Sequence, residues 1–318
     1  MKKVAILTSG GDAPGMNACL RAAVRAALNK GIEPYVVYDG YKGLVEGKIL
    51  QVHRRFVSEV LNRGGTIIGT ARLDEFKDVN VREKAVTNLK NLGIKDLVVI
   101  GGDGSFRGAS ELSIMGINCV GICASIDNDI NAPGYTIGFD TALNTIVDCI
   151  DKIRDTSSSH TRCSIVEVMG RHCGDLALYS SIASGADILI DPVTGFDFNA
   201  IVENIKYMKH EGRKHVIIVV SENLLDSKQL AKDIEKETGF ETRTTILGYL
   251  QRGGTPSAMD RVAASVLGCH AIRLLEEHKC DEMIYFANNE VYSLPISEAI
   301  KQKEINYKHL YKVNEIIG

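Results

Sequence analysis

The sequence predicts an α/β protein whose mostly parallel sheets are covered by helices. Short apolar, β-branched runs of strand length alternate with longer amphipathic stretches, the pattern of strands buried on both faces between helical layers. Two of those runs end in a glycine-rich turn where a strand would give way to a helix. The 318 residues, 45% of them hydrophobic, are enough to bury a substantial core in two ordinary domains or one large one. The formal charge of -3, from 37 basic and 40 acidic residues, gives no global field for nucleic acid or a membrane surface. An anionic ligand must therefore be gripped locally.

Taken in order, Met1-Lys2-Lys3 leads into Val4 to Thr8, too short an apolar run for a signal-peptide core and without a cleavage pattern, so it reads as a first strand. Pro34 to Tyr38, Asp96 to Ile100, Cys119 to Ile122, Ser164 to Met169, Val216 to Val220 and Met283 to Phe286 read as further strands. Helical periodicity covers Met16 to Asn29, Val81 to Leu92, Thr141 to Arg154, Ala200 to His210, Gln229 to Thr238 and Asp260 to Glu277. No stretch has the apolar length of a membrane span, so a soluble, cytoplasmic protein is expected. Cys19, Cys119, Cys123, Cys149, Cys163, Cys173, Cys269 and Cys280 lack metal-ligand spacing and read as reduced thiols among apolar neighbours. Glycine-rich turns near Gly138 and Gly253 interrupt periodic segments and suggest a middle domain inserted in the chain.

Thr8-Ser9-Gly10-Gly11-Asp12-Ala13-Pro14-Gly15 joins the first strand to a helix, exposing backbone N–H groups to an anion or serving as a purely structural turn. It has neither the Lys-Ser/Thr of a P-loop nor the spacing of a dinucleotide fingerprint. Gly101-Gly102-Asp103-Gly104-Ser105 sets an acid at the carboxyl end of a buried strand, where it can hold magnesium carried by nucleotide phosphates or cap a helix. Ser125-Ile126-Asp127-Asn128-Asp129 follows another apolar strand. In an extended segment its two acids point to the same side, one suited to a proton from a hydroxyl and the other to a metal; an Asx-turn cluster is the alternative. Arg72, Arg171 and Arg252 stand beside glycine-rich segments, where a guanidinium can grip phosphate oxygens.

These motifs together resemble the bacterial ATP-dependent 6-phosphofructokinase family over essentially the full length. The runs from Leu7 to Ala18, Gly101 to Ser105, Ile126 to Ile130, Arg154 to His160, Val166 to Arg171 and Gln251 to Gly254 keep the family's order and approximate separation. The resemblance implies two Rossmann-like three-layer domains. A larger ATP-binding one spans 1–138 with 252–302, and a smaller one for fructose 6-phosphate spans 139–251 with 303–318. It further implies a kinase of glycolysis, a phosphotransferase with an alcohol acceptor, that makes fructose 1,6-bisphosphate and ADP from ATP and fructose 6-phosphate. A pyrophosphate-dependent enzyme, or a regulatory relative that binds nucleotide and sugar phosphate with little turnover, are the alternatives.

By the same resemblance Asp127 is the base, Asp103 and Asp129 hold Mg2+, and Arg72, Arg171, Ser125 and Gly11 serve the transferring phosphoryl group. Tyr41, Leu73, Lys77, Gly102, Gly104, Ser105 and Gly108 border the nucleotide. Met169, Gly170, Glu222, Tyr249 and Arg252 meet the sugar phosphate, together with Arg162 and Arg243 from a neighbouring subunit of a homotetramer. Arg21, Arg25, Arg54, Arg154, Gly185, Asp187, Arg213 and Lys214 match an effector site for ADP or phosphoenolpyruvate, Asp187 as its magnesium-binding acid; Arg21 and Arg25, four apart, share one helical face.

The chain departs from the family at Ala124, where glycine is usual in ATP-using enzymes and lysine in pyrophosphate-using ones, and at Ser125, usually threonine. With Gly104, an acid in pyrophosphate users, these small residues leave room for the ATP α-phosphate. Tyr249 replaces a histidine, and Glu211 and Arg55 replace a cation and a tyrosine of the effector site.

Overall fold

The computed structural model describes residues 1–301, 303 and 307–318. In chain order the elements are β1 (Lys3–Thr8), α1 (Met16–Asn29), β2 (Glu33–Val37), α2 (Gly40–Glu46), β3 (Ile49–Gln51), α3 (Val79–Asn91), β4 (Asp96–Gly101), α4 (Asp103–Ile114), β5 (Asn118–Cys123) and α5 (Phe139–His160). They continue with β6 (Arg162–Val168), α6 (Asp175–Ser184), β7 (Ile188–Ile190), α7 (Phe198–His210), β8 (Val216–Ser221), α8 (Ser227–Thr238) and β9 (Glu241–Ile246). The last are α9 (Ala258–Glu276), β10 (Glu282–Ala287), β11 (Glu290–Pro295), α10 (Ile296–Ala299) and α11 (Lys308–Ile317). Two compact units result, Met1–Thr141 with Arg252–Glu304 and Ala142–Gln251 with Ile305–Gly318. The chain therefore leaves the first unit within α5 and returns to it at Arg252. The expected cut after residue 302 falls on a position outside the described residues.

The first unit holds a seven-stranded sheet in the order β11-β10-β5-β4-β1-β2-β3, parallel except at its edge strands β3 and β11. β1 is followed by β2 on one side and β4 lies on the other, so strand order reverses between β1 and β4. In a doubly wound sheet, the crevice at the carboxyl ends of such a pair is where ligands bind. An unbroken run of apolar side chains explains the fully buried β4, where Leu97, Val98, Val99 and Ile100 are all at 0% exposure. α1 packs closely on α9 because Gly268 has no side chain: a Cβ there would stand 2.6 Å from the Cys19 carbonyl oxygen.

The second unit is built on a four-stranded sheet, β7-β8-β6-β9, with all its pairs parallel. Its core is Cys163, Ile165, Ile190, Ile205, Val216, Ile218, Val220, Ile234 and Phe240. Capping residues fix its helices: Asp197 accepts from the Ala200 N–H at the start of α7, and Asp226 from Lys228 and Gln229 at the start of α8, which ends on left-handed Gly239.

Two readings are corrected. α5 continues to His160 rather than stopping at Arg154, because Ser157 donates to the Ile153 carbonyl and Ser159 to that of Asp155, turning helix-breaking hydroxyls inward along the helix. The segment after β5 is not extended: Asn128 has φ 51°, so simple alternation does not set the directions of Asp127 and Asp129.

Candidate active site

In the first unit the turns after β1, β4 and β5 meet at one sheet edge. Ser9 N–H donates to the Ile100 carbonyl, and Ala124 N–H to that of Gly101. A Cβ at Gly101 would lie 2.6 Å from the Ser9 carbonyl and collide with Ser105 Oγ, so only glycine allows these turns to close up. Ser105, 2% exposed, finds no hydrogen-bond partner for its hydroxyl among the described residues, and that hydroxyl also lies 3.2 Å from the Cβ position of Gly10. A buried donor beside two glycine turns at the start of α4 suits a phosphate oxygen. Gly102 caps α4 and Asp103 is its first residue, so the motif there is a helix start as well as a candidate metal site.

Asp127 is buried and stands 3.7 Å from Arg252 Nη2. The same guanidinium donates to the Asp12 carbonyl at 3.2 Å and occupies the space a Cβ at Gly11 would take, 2.5 Å from Nη1. Arg252 thus ties the first glycine turn to the candidate base. Ser125 Oγ donates to Asp129 Oδ1 at 3.1 Å and lies 3.2 Å from the Asp127 N–H, so the serine orders both ends of its loop. Thr136 Oγ1 donates to the Ser125 carbonyl, the Asn128 side chain accepts from Thr136 N–H, and Lys303 Nζ donates to the Asn128 carbonyl. Sequence reasoning missed these supports, since a buried Thr or a partly buried Lys carries no pattern of its own.

Asp103 faces Arg107 at 3.2 Å, and Gly102 adjoins Ser125, whose Cβ lies 3.8 Å from where one would stand at Gly102. Two hard carboxylates on adjoining loops fit a Mg2+ that takes its other ligands from phosphates and water. No cluster of three or more His, Cys, Asp or Glu side chains suited to a metal occurs among the described residues.

Arg72 lies on a loop laced to the first turn: Thr8 Oγ1 donates to the Gly69 carbonyl at 2.9 Å and Thr70 Oγ1 to that of Gly10 at 2.8 Å. Leu73 precedes the 3₁₀ turn Asp74–Lys77, whose Lys77 is exposed. Tyr41 is buried, donates to the Ser105 carbonyl at 2.6 Å and presses its ring on Gly108, where a Cβ would come within 2.7 Å. It supports the α4 turn from beneath, and burial holds its phenol well above the ordinary range. Burial likewise pushes Cys119 up to about 12 and Cys123 higher still, so neither thiol near this edge is a nucleophile.

In the second unit Met169, Gly170 and Arg171 follow β6, and Glu222 follows β8. Glu222 Oε1 accepts from the Arg171 N–H at 3.0 Å and the Gly170 N–H at 3.3 Å, while Met169 N–H donates to the buried Gln251 side chain at 3.0 Å. Arg171 has φ 54° and Gly170 φ 142°, where a Cβ would strike the Cys173 carbonyl at 2.5 Å. Tyr249 is 84% exposed on the 3₁₀ turn Gly248–Arg252. Arg162 and Arg243 are not brought to this edge. Arg162 opens β6 and Glu241 opens β9 beside it in register, and both arginines hold Glu241, Arg162 at 2.9 Å and Arg243 at 2.5 Å. The Arg162 hydrogen bond keeps the Glu241 carboxyl below its usual range.

The effector residues form two groups. Arg21 and Arg25 on α1 lie near Arg54, and burial with those two cations lowers the Arg25 pKa. In the second unit Arg154 donates to the Ser184 and Gly185 carbonyls. Asp187 pairs with Arg213 at 2.9 Å and accepts from Ile217 N–H at 2.8 Å, while Lys214 is exposed nearby in sequence. Both Asp187 oxygens are thus engaged by protein donors.

Glycine turns at the switch point of a doubly wound sheet, with an arginine-held buried acid next to them, are the arrangement suited to an enzyme that transfers phosphoryl groups. The phosphofructokinase family pattern matches residues 3–275, and the chain belongs to that family. It is 52% identical over 316 residues to an ATP-dependent 6-phosphofructokinase of Vibrio parahaemolyticus and 51% to one of Vibrio cholerae, covering 99% of each chain in both cases. Among solved structures, phosphofructokinase from Saccharomyces cerevisiae superposes with a TM-score of 0.87 at 37% identity, over 94% of this chain and 45% of that one.

Proposed function

We infer that the chain transfers the γ-phosphoryl group of ATP to the 1-hydroxyl of D-fructose 6-phosphate, giving fructose 1,6-bisphosphate and ADP, the committed step of glycolysis. The observation that carries this reading is Asp127, buried against Arg252 at 3.7 Å beside the first glycine turn. Asp127 takes the hydroxyl proton as the sugar oxygen attacks phosphorus. Arg72 and Arg171 neutralise the transferring group, Ser105 and the glycine turns receive phosphate oxygens, and Arg252 orients the base. Asp103 and Asp129 would hold Mg2+, which supplies charge neutralisation on the nucleotide phosphates when bound. The open space at Gly104, where a Cβ would meet nothing within 4 Å among the described residues outside its own stretch of helix, favours a nucleotide over pyrophosphate.

The protein acts in the cytoplasm as a homotetramer with shared sites. The support is geometric: Arg162 and Arg243 sit at the amino edge of the second unit's sheet, whereas Arg171 and Glu222 sit at its carboxyl edge. A second copy is needed to complete the sugar-phosphate site. Arg21, Arg25, Arg54, Arg154, Gly185, Asp187, Arg213 and Lys214 bind ADP or phosphoenolpyruvate as regulator.

The test is Asp127→Ser. Turnover of ATP with fructose 6-phosphate in a coupled assay should fall by about two to four orders of magnitude while circular dichroism and the melting curve stay those of the wild type. Near-normal turnover would overturn the reading.

A further inference from the structure

Asn17 lies in the first turn of α1 with 1% of its surface exposed, a costly position for an amide unless its polar atoms are used. Among the described residues its side-chain hydrogen bonds are directed at one loop. Its Nδ2 donates to the carbonyls of Arg63 at 3.0 Å and Gly64 at 3.1 Å, and its Oδ1 accepts from the Ile67 N–H at 2.8 Å. That loop runs on to Arg72. Between them it is fastened to β1 and the first glycine turn through Thr66 Oγ1 against Thr8 Oγ1 at 2.8 Å, the Gly69 carbonyl and Thr70. Gly64 in turn rests on Gly254, two residues beyond Arg252, so closely that a Cβ at Gly64 would collide with the Gly254 carbonyl oxygen.

We propose that Asn17 is a positioning residue for phosphoryl transfer: its side-chain amide fixes the 63–72 loop against α1 and so holds Arg72 in place for the transferring group. Glycines at 64 and 65 and φ 69° at Gly69 give the loop many alternative backbone conformations, and the three bonds of the amide select one of them. An arginine displaced by about 1 Å loses much of its charge stabilisation, because transfer depends on placement more than on proximity. The inference rests on the kinase reading above, in which Arg72 clamps the phosphoryl group.

A double-mutant cycle tests it. Asn17→Ala should lower kcat by about ten- to a hundredfold with KM for fructose 6-phosphate within about twofold of wild type. Combined with Arg72→Ala, it should lower kcat no further than Arg72→Ala alone, because the two act through one group. Should Asn17→Ala fail to fold, Asn17→Ser is read in its place, its hydroxyl being too short to bond Arg63 and Gly64 together. Folded variants with unchanged kcat, or losses that multiply in the double variant, overturn the inference while leaving the kinase reading intact. Absence of wild-type turnover overturns both.

Discussion

Arg162 and Arg243 offer the sharpest test of shared sites, because their separation from Arg171 is fixed by a single strand. β6 runs from Arg162 to Val168, seven residues, and at about 3.3 Å per residue its ends are about 20 Å apart. Arg243 pairs with Ser164, about 13 Å short of the same end, and its side chain turns away toward Glu241. A filled sheet lies between, so one sugar phosphate cannot touch both edges of the same chain. Arg171→Ala and Arg243→Ala, made separately, should each lose about a hundredfold or more in kcat/KM, as a charge-assisted phosphate contact is removed. Coexpressed in equal amounts, they assemble sites at random. A site with intact Arg171 from one subunit and intact Arg243 from its neighbour then arises in about one case in four. Steady-state assay of the purified mixture should recover about a quarter of wild-type activity, far above either parent. A mixture no more active than the mean of its parents would refute the geometry.

Two further outcomes follow from individual contacts. At Gly104 a Cβ would meet nothing within 4 Å among the described residues outside its own stretch of helix, so on Gly104→Asp the melting temperature should hold, while kcat/KM for ATP falls at least about tenfold as a carboxylate enters beside the proposed phosphate positions. Tyr311→Phe removes a 2.6 Å hydrogen bond to Asp191, which is 0% exposed, and urea unfolding should show a loss of about 1–2 kcal/mol. A loss beyond about 4 kcal/mol would contradict the structure, since Asp191 Oδ1 keeps the N–H groups of Val193 and Thr194.

Much of the architecture was legible because parallel strands buried on both faces announce themselves as apolar runs: β4 and β8 are buried at every residue. What escaped had either too little length or the wrong polarity. β3 and β7 are three residues each, and α2 begins at Gly40 with left-handed Asp39 as its cap. α11 buries no residue fully, so its periodicity carries little weight beside its Lys and Asn content. The start of α4 was visible only as a glycine turn, because Gly102, Asp103 and Gly104 are poor helix formers that the helix N-terminus tolerates for its anion-binding geometry. In the candidate site the motifs themselves could be read, but the residues that hold them could not. Gln251 is fully buried and serves Met169, Asn17 serves the Arg72 loop, and Thr136 serves Ser125; each looks in sequence like an ordinary polar position.

β9 shows why such failures cluster where function lies. Glu-Thr-Arg-Thr-Thr-Ile has the β-branched content of a strand, yet it lacks the apolar run because it is the edge of its sheet and only Thr242 is buried. Its free side can carry Glu241 and Arg243, and charges on an edge also discourage a stray strand from pairing there. Glu241 holds two guanidiniums, at distances of 2.9 and 2.5 Å. In the proposed shared site, the phosphate of a sugar bound to a second copy would replace one carboxylate with a doubly charged group that both arginines can grip. Glu241→Gln should therefore loosen the arginines before the ligand arrives and raise KM for fructose 6-phosphate by about two- to tenfold at unchanged kcat, read by steady-state kinetics. A lowered KM would show instead that the carboxylate competes with the phosphate more than it prepares for it. Either way the charges that decide the outcome are those that concealed the strand, because an edge that carries Glu241 and Arg243 cannot also present the apolar run by which a strand is found.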